Sequence, residues 1–285
     1  MTDEPKCRTL QPLPRFAALV VVAGALCMSG CKTFSDHTQA TRNALDAHDL
    51  EEALRASNRA LGVQRVEKTL GTLDKDDALL LLDRAMILQA VQRHSLSSRD
   101  FQTADSRLEL LDLSRSTADE IVRYMFSDSA GPYKARPYEK LMVNTLNMVN
   151  YLALQNLEGA RVEARRFSIM RSYLLDGDDV DEDAVGRAAM PGSYLAGFTF
   201  EKSRVPGEAL RYYDEVLQAA DVSSLGEPIR ELSQQTSYRT SRLQAAARRV
   251  EGPPSPTDAS AEVLIVISYG RVPPLVAQRV PIGLA

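Results

Sequence analysis

Between Tyr138 and Met170 apolar residues recur at helical spacing in two stripes separated by one polar break, and this pattern constrains the fold more than any other feature. Leu141, Thr145, Met148 and Leu152 mark the first stripe. After Gln155-Asn156, the residues Leu157, Ala160, Ala164 and Phe167 mark the second. Side chains three and four positions apart share a helix face, so each stripe predicts one amphipathic helix. Similar spacing runs from Ser35 to about Val250, with almost no strand-like alternation. The second helix carries Glu158, Arg161, Glu163, Arg165 and Arg166 on its other faces, which read as a solvated surface with local ion pairs or as a ligand patch.

Two antiparallel helices joined by a short polar turn, with a small residue where they touch, describe a tetratricopeptide (TPR) unit, and four segments fit that pattern. Ser193–Leu217 offers Gly197, Phe200, Ala209, Tyr213 and Val216 at the small and large positions. Asn144–Phe167 offers Tyr151 and Ala160, with Ala164 where an aromatic is usual. Ala40–Leu61 offers Leu50, Ala53, Ala60 and Leu61, and Leu81–Ala104 offers Leu88, Phe101 and Ala104 with Ser97 at the small position. The expected crossing residues are Ala53, Ser97, Ala160 and Ala209. Their separations of 44, 63 and 49 residues exceed the period of about 34 in a regular array. The expectation is a mainly α chain, an irregular TPR-like superhelix of helix pairs with insertions. A generic helical bundle is the alternative.

The N-terminus reads as an address. Phe16–Met28 (FAALVVVAGALCM) is 13 residues long, short of the roughly 20 that cross a bilayer as a helix. Behind Lys6, Arg8 and Arg15 it has the length of a signal-peptide core. Met28-Ser29-Gly30-Cys31 follows and looks like a bacterial lipobox, with small residues before the thiol that would receive lipid. Met28 departs from the usual Leu. Cys27 is the poorer candidate because bulky Leu26 precedes it. An ordinary cleaved signal and an uncleaved anchor are the alternatives. The three cysteines are Cys7, Cys27 and Cys31, so cleavage before Cys31 leaves a chain whose one cysteine is acylated. Disulfides, zinc–thiolate sites and a cysteine nucleophile are then excluded together. Several acyl chains anchor stably. Lys32 rather than Asp after the cysteine leans toward the outer membrane, on its periplasmic face.

The longest insertion contains Ser127–Glu139 (SDSAGPYKARPYE), whose Gly131 and two prolines are expected to prevent helix. Tyr124, Tyr133 and Tyr138 cluster here with Arg123, Lys134 and Arg136. Tyrosine and arginine dominate binding hot spots, which makes Tyr124, Tyr133, Arg136 and Tyr138 candidates for partner binding. A loop packed over the mouth of a helical groove is the alternative. Beyond Val250, residues 251–261 form a proline-rich linker. Glu262–Ser268 (EVLIVIS) is then apolar and β-branched, and Leu275–Ile282 could return beside it. Residues 262–285 are expected to form a β-hairpin or to begin a truncated β-rich domain. The domain plan is thus a signal peptide at 1–30, a helical domain at 31–250, the linker and this β segment.

The lipobox, PYKARPYEKLMVN (Pro132–Asn144), YLALQNLEGARVEARR (Tyr151–Arg166) and EVLIVISYGRVPP (Glu262–Pro274) occur in this order. Together they resemble an uncharacterised family of TPR-like lipoproteins from proteobacterial envelopes. That resemblance implies fold and location. It implies no activity and carries over no catalytic residue, and members commonly extend past the late strand.

Chemistry-bearing motifs are scarce. His37, His48 and His94 have no metal partner at ligand spacing, and no HExxH, GxSxG, P-loop or dinucleotide fingerprint occurs. The run Asp176, Asp178, Asp179, Asp181, Glu182 and Asp183 lacks the calcium-loop register. Counted from Asp179, Ala184 stands where Gly is required and Met190 where Glu is required. A solvated acidic inter-helix loop is expected instead. The balance of 34 Lys and Arg against 38 Asp and Glu argues against a nucleic-acid binder. The expected function is a lipid-anchored, periplasm-facing scaffold without catalytic activity or cofactor. It would bind a protein partner in envelope biogenesis and hold the membrane through its lipid. A carboxylate enzyme acting on peptidoglycan and a purely structural lipoprotein are the competing readings, since paired acids meet only in the fold.

Overall fold

The computed structural model describes residues 34–68, 77–113, 137–176, 181–252 and 263–268, with side chains between 108 and 137 excepted. The expected signal peptide and most of the linker lie outside these residues. The described part is mainly helical, with ten α-helices and no strand. They fall into two compact units divided between Tyr133 and Lys134.

The first unit holds α1 (Phe34–Asp46), α2 (Leu50–Ala60), α3 (Asp77–Ala90) and α4 (His94–Leu113). The second holds α5 (Pro137–Ala153), α6 (Leu157–Leu175), α7 (Glu182–Lys202), α8 (Pro206–Ala219), α9 (Gly226–Leu232) and α10 (Ser241–Arg248). The helices α1/α2, α3/α4, α5/α6 and α7/α8 pack as consecutive pairs.

Four turns join these pairs, and all four are built alike. The middle turn residue has a positive φ: His48 (58°), Gln92 (61°), Gln155 (56°) and Arg204 (58°). Each donates its N–H to the carbonyl three residues back, and the next residue donates to the carbonyl five back, at 2.8 to 3.0 Å. This is the Schellman closure, which satisfies the last carbonyls of a helix and reverses the chain. None of the four is glycine, so each turn holds a side chain in the left-handed region at some steric cost. Asp49 and Asn156 then cap the returning helix, accepting from the N–H of Glu52 and Gly159, both at 2.9 Å. Pro206 opens α8 at its first turn, where a missing N–H costs nothing.

Five residues after each positive-φ residue stands a small side chain with no exposed surface: Ala53, Ser97, Ala160 and Ala209. These are the expected crossing residues. In the second pair Ser97 also donates its hydroxyl to the Ala85 carbonyl at 2.8 Å, which satisfies a buried polar atom at the contact.

In the second unit Phe167, Phe200, Leu210, Tyr213, Ile229 and Leu243 share one continuous core. Helix α7 packs on both α5 and α6, so its inner face is covered from two sides. Gly192 makes that approach possible, because a Cβ there would lie 2.2 Å from the Phe167 ring. Helices α9 and α10 close the apolar face that α8 leaves open. Arg242 grips Asp214 through Nε and Nη2 at 3.0 and 2.9 Å, and Thr240 donates to the same carboxylate at 2.7 Å.

The first unit buries an ion pair between its third and fourth helices. Arg84 donates through Nε and Nη2 to Asp100 at 2.6 and 3.0 Å, and through Nη1 to Asn58 at 3.1 Å. Arg99 adds a second cation to Asp100 at 2.8 Å while its guanidinium also holds the carbonyls of Val66 and Glu67. The segment after α2 is thereby tied to α4.

Three expectations require correction. Pro137-Tyr138-Glu139, expected as loop, is the first turn of α5, because proline is well suited to a helix start. The acidic run is only partly inter-helix loop. Asp181 caps α7 through the N–H of Ala184 at 2.9 Å, and Glu182 and Asp183 lie in its first turn, where negative charge complements the helix dipole. Glu163, placed with the solvated charges, is fully buried. The segment Val263–Ser268 has no assigned strand among the described residues, and the return at Leu275–Ile282 lies outside them.

Candidate functional site

Helix α6 carries three exposed large hydrophobic side chains, Val162, Ile169 and Tyr173, and its sequence separates two faces. Ala160, Ala164 and Phe167 point inward and are fully buried. On the opposite side Val162, Ile169 and Tyr173 follow one another at seven and four residues, with 51, 71 and 64% of their surface exposed. Arg165 lies exposed between them, and its guanidinium sits 6.0 Å from the Phe200 ring. Lys140 of α5 stands 5.7 Å from the centroid of Tyr173, a cation–π contact that steadies the ring at the surface. Large apolar and aromatic side chains beside arginines are the composition of interface hot spots.

The face is held firmly from below. Asn156 caps α6, and Gly159 in its first turn lets the Tyr151 ring lie across it, since a Cβ there would be 2.4 Å from that ring. Asn144 of α5 donates its amide to Glu163 Oε2 at 3.0 Å. The other Glu163 oxygen accepts no hydrogen bond, and the Arg166 guanidinium lies 3.8 Å away. At the far end of α6, Arg171 approaches Glu215 of α8 at 3.5 Å while Ser193 of α7 donates to the same carboxylate at 2.7 Å. Burial pushes the Glu215 carboxyl above its ordinary range, against the opposing pull of Arg171 and Ser193. Tyr212 donates its hydroxyl to the Ala164 carbonyl at 3.2 Å, and Tyr213 donates to Glu201 at 2.6 Å. Buried polar groups therefore orient α6 against α5, α7 and α8.

Of the residues expected to bind, Tyr138 alone lies among those described. It is half-buried in the first turn of α5, and its hydroxyl reaches Glu139 at 3.4 Å. Cys31, Tyr124, Tyr133 and Arg136 lie outside the described residues. The sequence reading missed the α6 surface because Val162, Ile169 and Tyr173 have the composition of core residues. Their register was the available signal: at helical spacing Val162, Ile169 and Tyr173 fall on the side opposite Ala160, Ala164 and Phe167.

Among the described residues no group of three or more His, Cys, Asp or Glu is placed to hold a metal ion, and no helix is long and apolar enough to cross a membrane. No model of a known protein family matches the chain, and no curated protein matches it.

Proposed function

We propose that this protein is a lipid-anchored adaptor of the bacterial envelope, built on TPR-like helix pairs, that binds a protein partner through the exposed face of α6. The observation that carries the reading is the shared register of four helix pairs. In each, a positive-φ turn residue is followed five positions later by a buried small residue. Pairs of this design offer broad, rigid helical surfaces rather than a reaction centre. The face bearing Val162, Arg165, Ile169 and Tyr173 supplies hot-spot chemistry on such a surface. The tyrosine–proline segment with Tyr124, Tyr133, Arg136 and Tyr138 is a second contact region in this proposal. Attachment is through lipid on Cys31, with the chain on the periplasmic face of the outer membrane. The TPR-like identity, the location and the partner class rest on the sequence features and on fold analogy.

The test is crosslinking in cells followed by identification of what is bound. One abundant envelope protein, lost when Ile169 and Tyr173 are both changed to Asp, supports the proposal. Release of muropeptides by the purified protein contradicts it. Labelling with a lipid precursor checks the anchor, since labelling retained after Cys31→Ser refutes the attachment site.

A further inference from the structure

Four side chains of α6, Val162, Arg166, Ile169 and Tyr173, follow one another at spacings of four, three and four residues. That alternation is the one a coiled-coil seam uses, where a narrow stripe of one helix receives the side chains of another. Val162, Ile169 and Tyr173 are each more than half exposed, and the Arg166 side chain keeps 33% of its surface in solvent. The backbone of α6 is committed to its own helix, so it has no edge that a strand could extend. A partner must therefore dock through side chains, and a second helix is the element that fits a 4–3–4 stripe. A helix lying in a lipid surface buries a broad apolar face instead, whereas this stripe is narrow and has an arginine within it.

Charge decides which helix. Between Gly159 and Leu175 the sequence has four arginines and a single acid. That acid, Glu163, is 1% exposed and is held by Asn144 of α5, so it adds nothing to the outer surface. Arg161 pairs with Glu158 and Arg171 with Glu215, at 3.4 and 3.5 Å. Arg166 within the stripe and exposed Arg165 alongside it therefore set the charge of this face, with Lys140 of α5 at its Tyr173 end. Among the described residues no carboxylate pairs with Arg165, whose guanidinium lies by the Phe200 ring. We propose that the occupant of this face is an acidic amphipathic helix of the partner protein. Its apolar residues recur at three- and four-residue spacing, with carboxylates among or beside them that meet Arg165 and Arg166. Charges in and beside such a seam select the partner, and a basic helix would set like charges together. This inference rests on the adaptor reading and names the chemistry of the partner.

Photoreactive residues at Val162 and at Ile169, placed in the full chain in cells, test this once the crosslinked segment is sequenced by mass spectrometry. The two positions lie about 10 Å apart along α6, a distance that seven helical residues span but only about three extended ones. Their attachment points are expected about seven residues apart on a partner segment of net negative charge. Ser172 is exposed and holds the position of Arg165 one heptad later. Ser172→Glu is expected to weaken capture roughly fivefold and Ser172→Lys to strengthen it, both with an unchanged circular-dichroism spectrum and both fading in high salt. Attachment points about three residues apart, a neutral or basic segment, or capture indifferent to both Ser172 variants would overturn the helix proposal alone. An adduct to lipid or to a second copy of the chain, or no adduct at all, would overturn it together with the adaptor reading.

Discussion

Gly197 of α7 faces the ring of Tyr213 on α8 so closely that a Cβ at residue 197 would lie 2.4 Å from the ring. The ring cannot give way. Tyr213 is 2% exposed, and its hydroxyl is fixed to Glu201 at 2.6 Å. Overpacking of this kind costs about 1–3 kcal/mol, while replacing a helical glycine by alanine regains ~1 kcal/mol. Gly197→Ala is therefore expected to lower the stability of the second unit by roughly 1–2 kcal/mol. Gly186, also in α7, has only the Ala219 Cβ near its open side, at 3.9 Å. Gly186→Ala is expected to stabilise by about 0.5–1 kcal/mol. Thermal melts of the two variants should move in opposite directions, and a shared direction would refute this account of α7–α8 packing.

The Arg84–Asp100 pair makes a second prediction. Both side chains are almost wholly buried, and removing one partner of such a pair strands the other charge, at about 3–5 kcal/mol. Asp100→Ala is the more severe case because it orphans Arg84 and also frees Arg99. Replacing both members of the pair, as Arg84→Met with Asp100→Leu, is expected to recover most of the loss, since apolar packing removes the desolvation cost. Denaturant midpoints for the single and double variants measure this. A double variant as unstable as Asp100→Ala would show that the pair is not the source of the penalty.

These two examples mark what could be read from the sequence. The small residues at the helix crossings were legible because Ala53, Ser97, Ala160 and Ala209 repeat a local pattern set by nearby turns. The fate of Arg84 was not, because its partner lies 16 residues away on another helix. A hint existed in the arginine set within the apolar run LLLLDRAMIL. Glu163 went astray for the same reason: its i,i+3 neighbour Arg166 suggested a surface pair, while Asn144 on α5 draws it inward. Periodicity reports which face a residue occupies, but not which of two packed helices will supply a buried polar group with its partner.

Glu215 gives the pH dependence. Burial raises its pKa above the ordinary 4.5, with Arg171 and Ser193 opposing that shift incompletely. The folded chain therefore holds this proton to higher pH than the unfolded chain does. Across the interval above 4.5 the native state binds more protons, so this group makes stability fall as pH rises until the folded value is passed. Glu215→Gln keeps an acceptor for Ser193 and removes the titration. Denaturant midpoints from pH 4 to 8 are expected to fall less steeply with rising pH in the variant, so the difference between variant and parent should grow and then level off. A constant difference would contradict a raised Glu215.

The adaptor proposal is tested most directly by photo-crosslinking in cells from single positions. A photoreactive residue would replace Val162, Ile169 or Tyr173 on the exposed face of α6, with exposed Arg211 of α8 as the comparison. The proposal predicts one discrete adduct of the same mass from all three α6 positions, absent from Arg211. No adduct from α6, or an identical adduct from every exposed position, would contradict partner binding at this face.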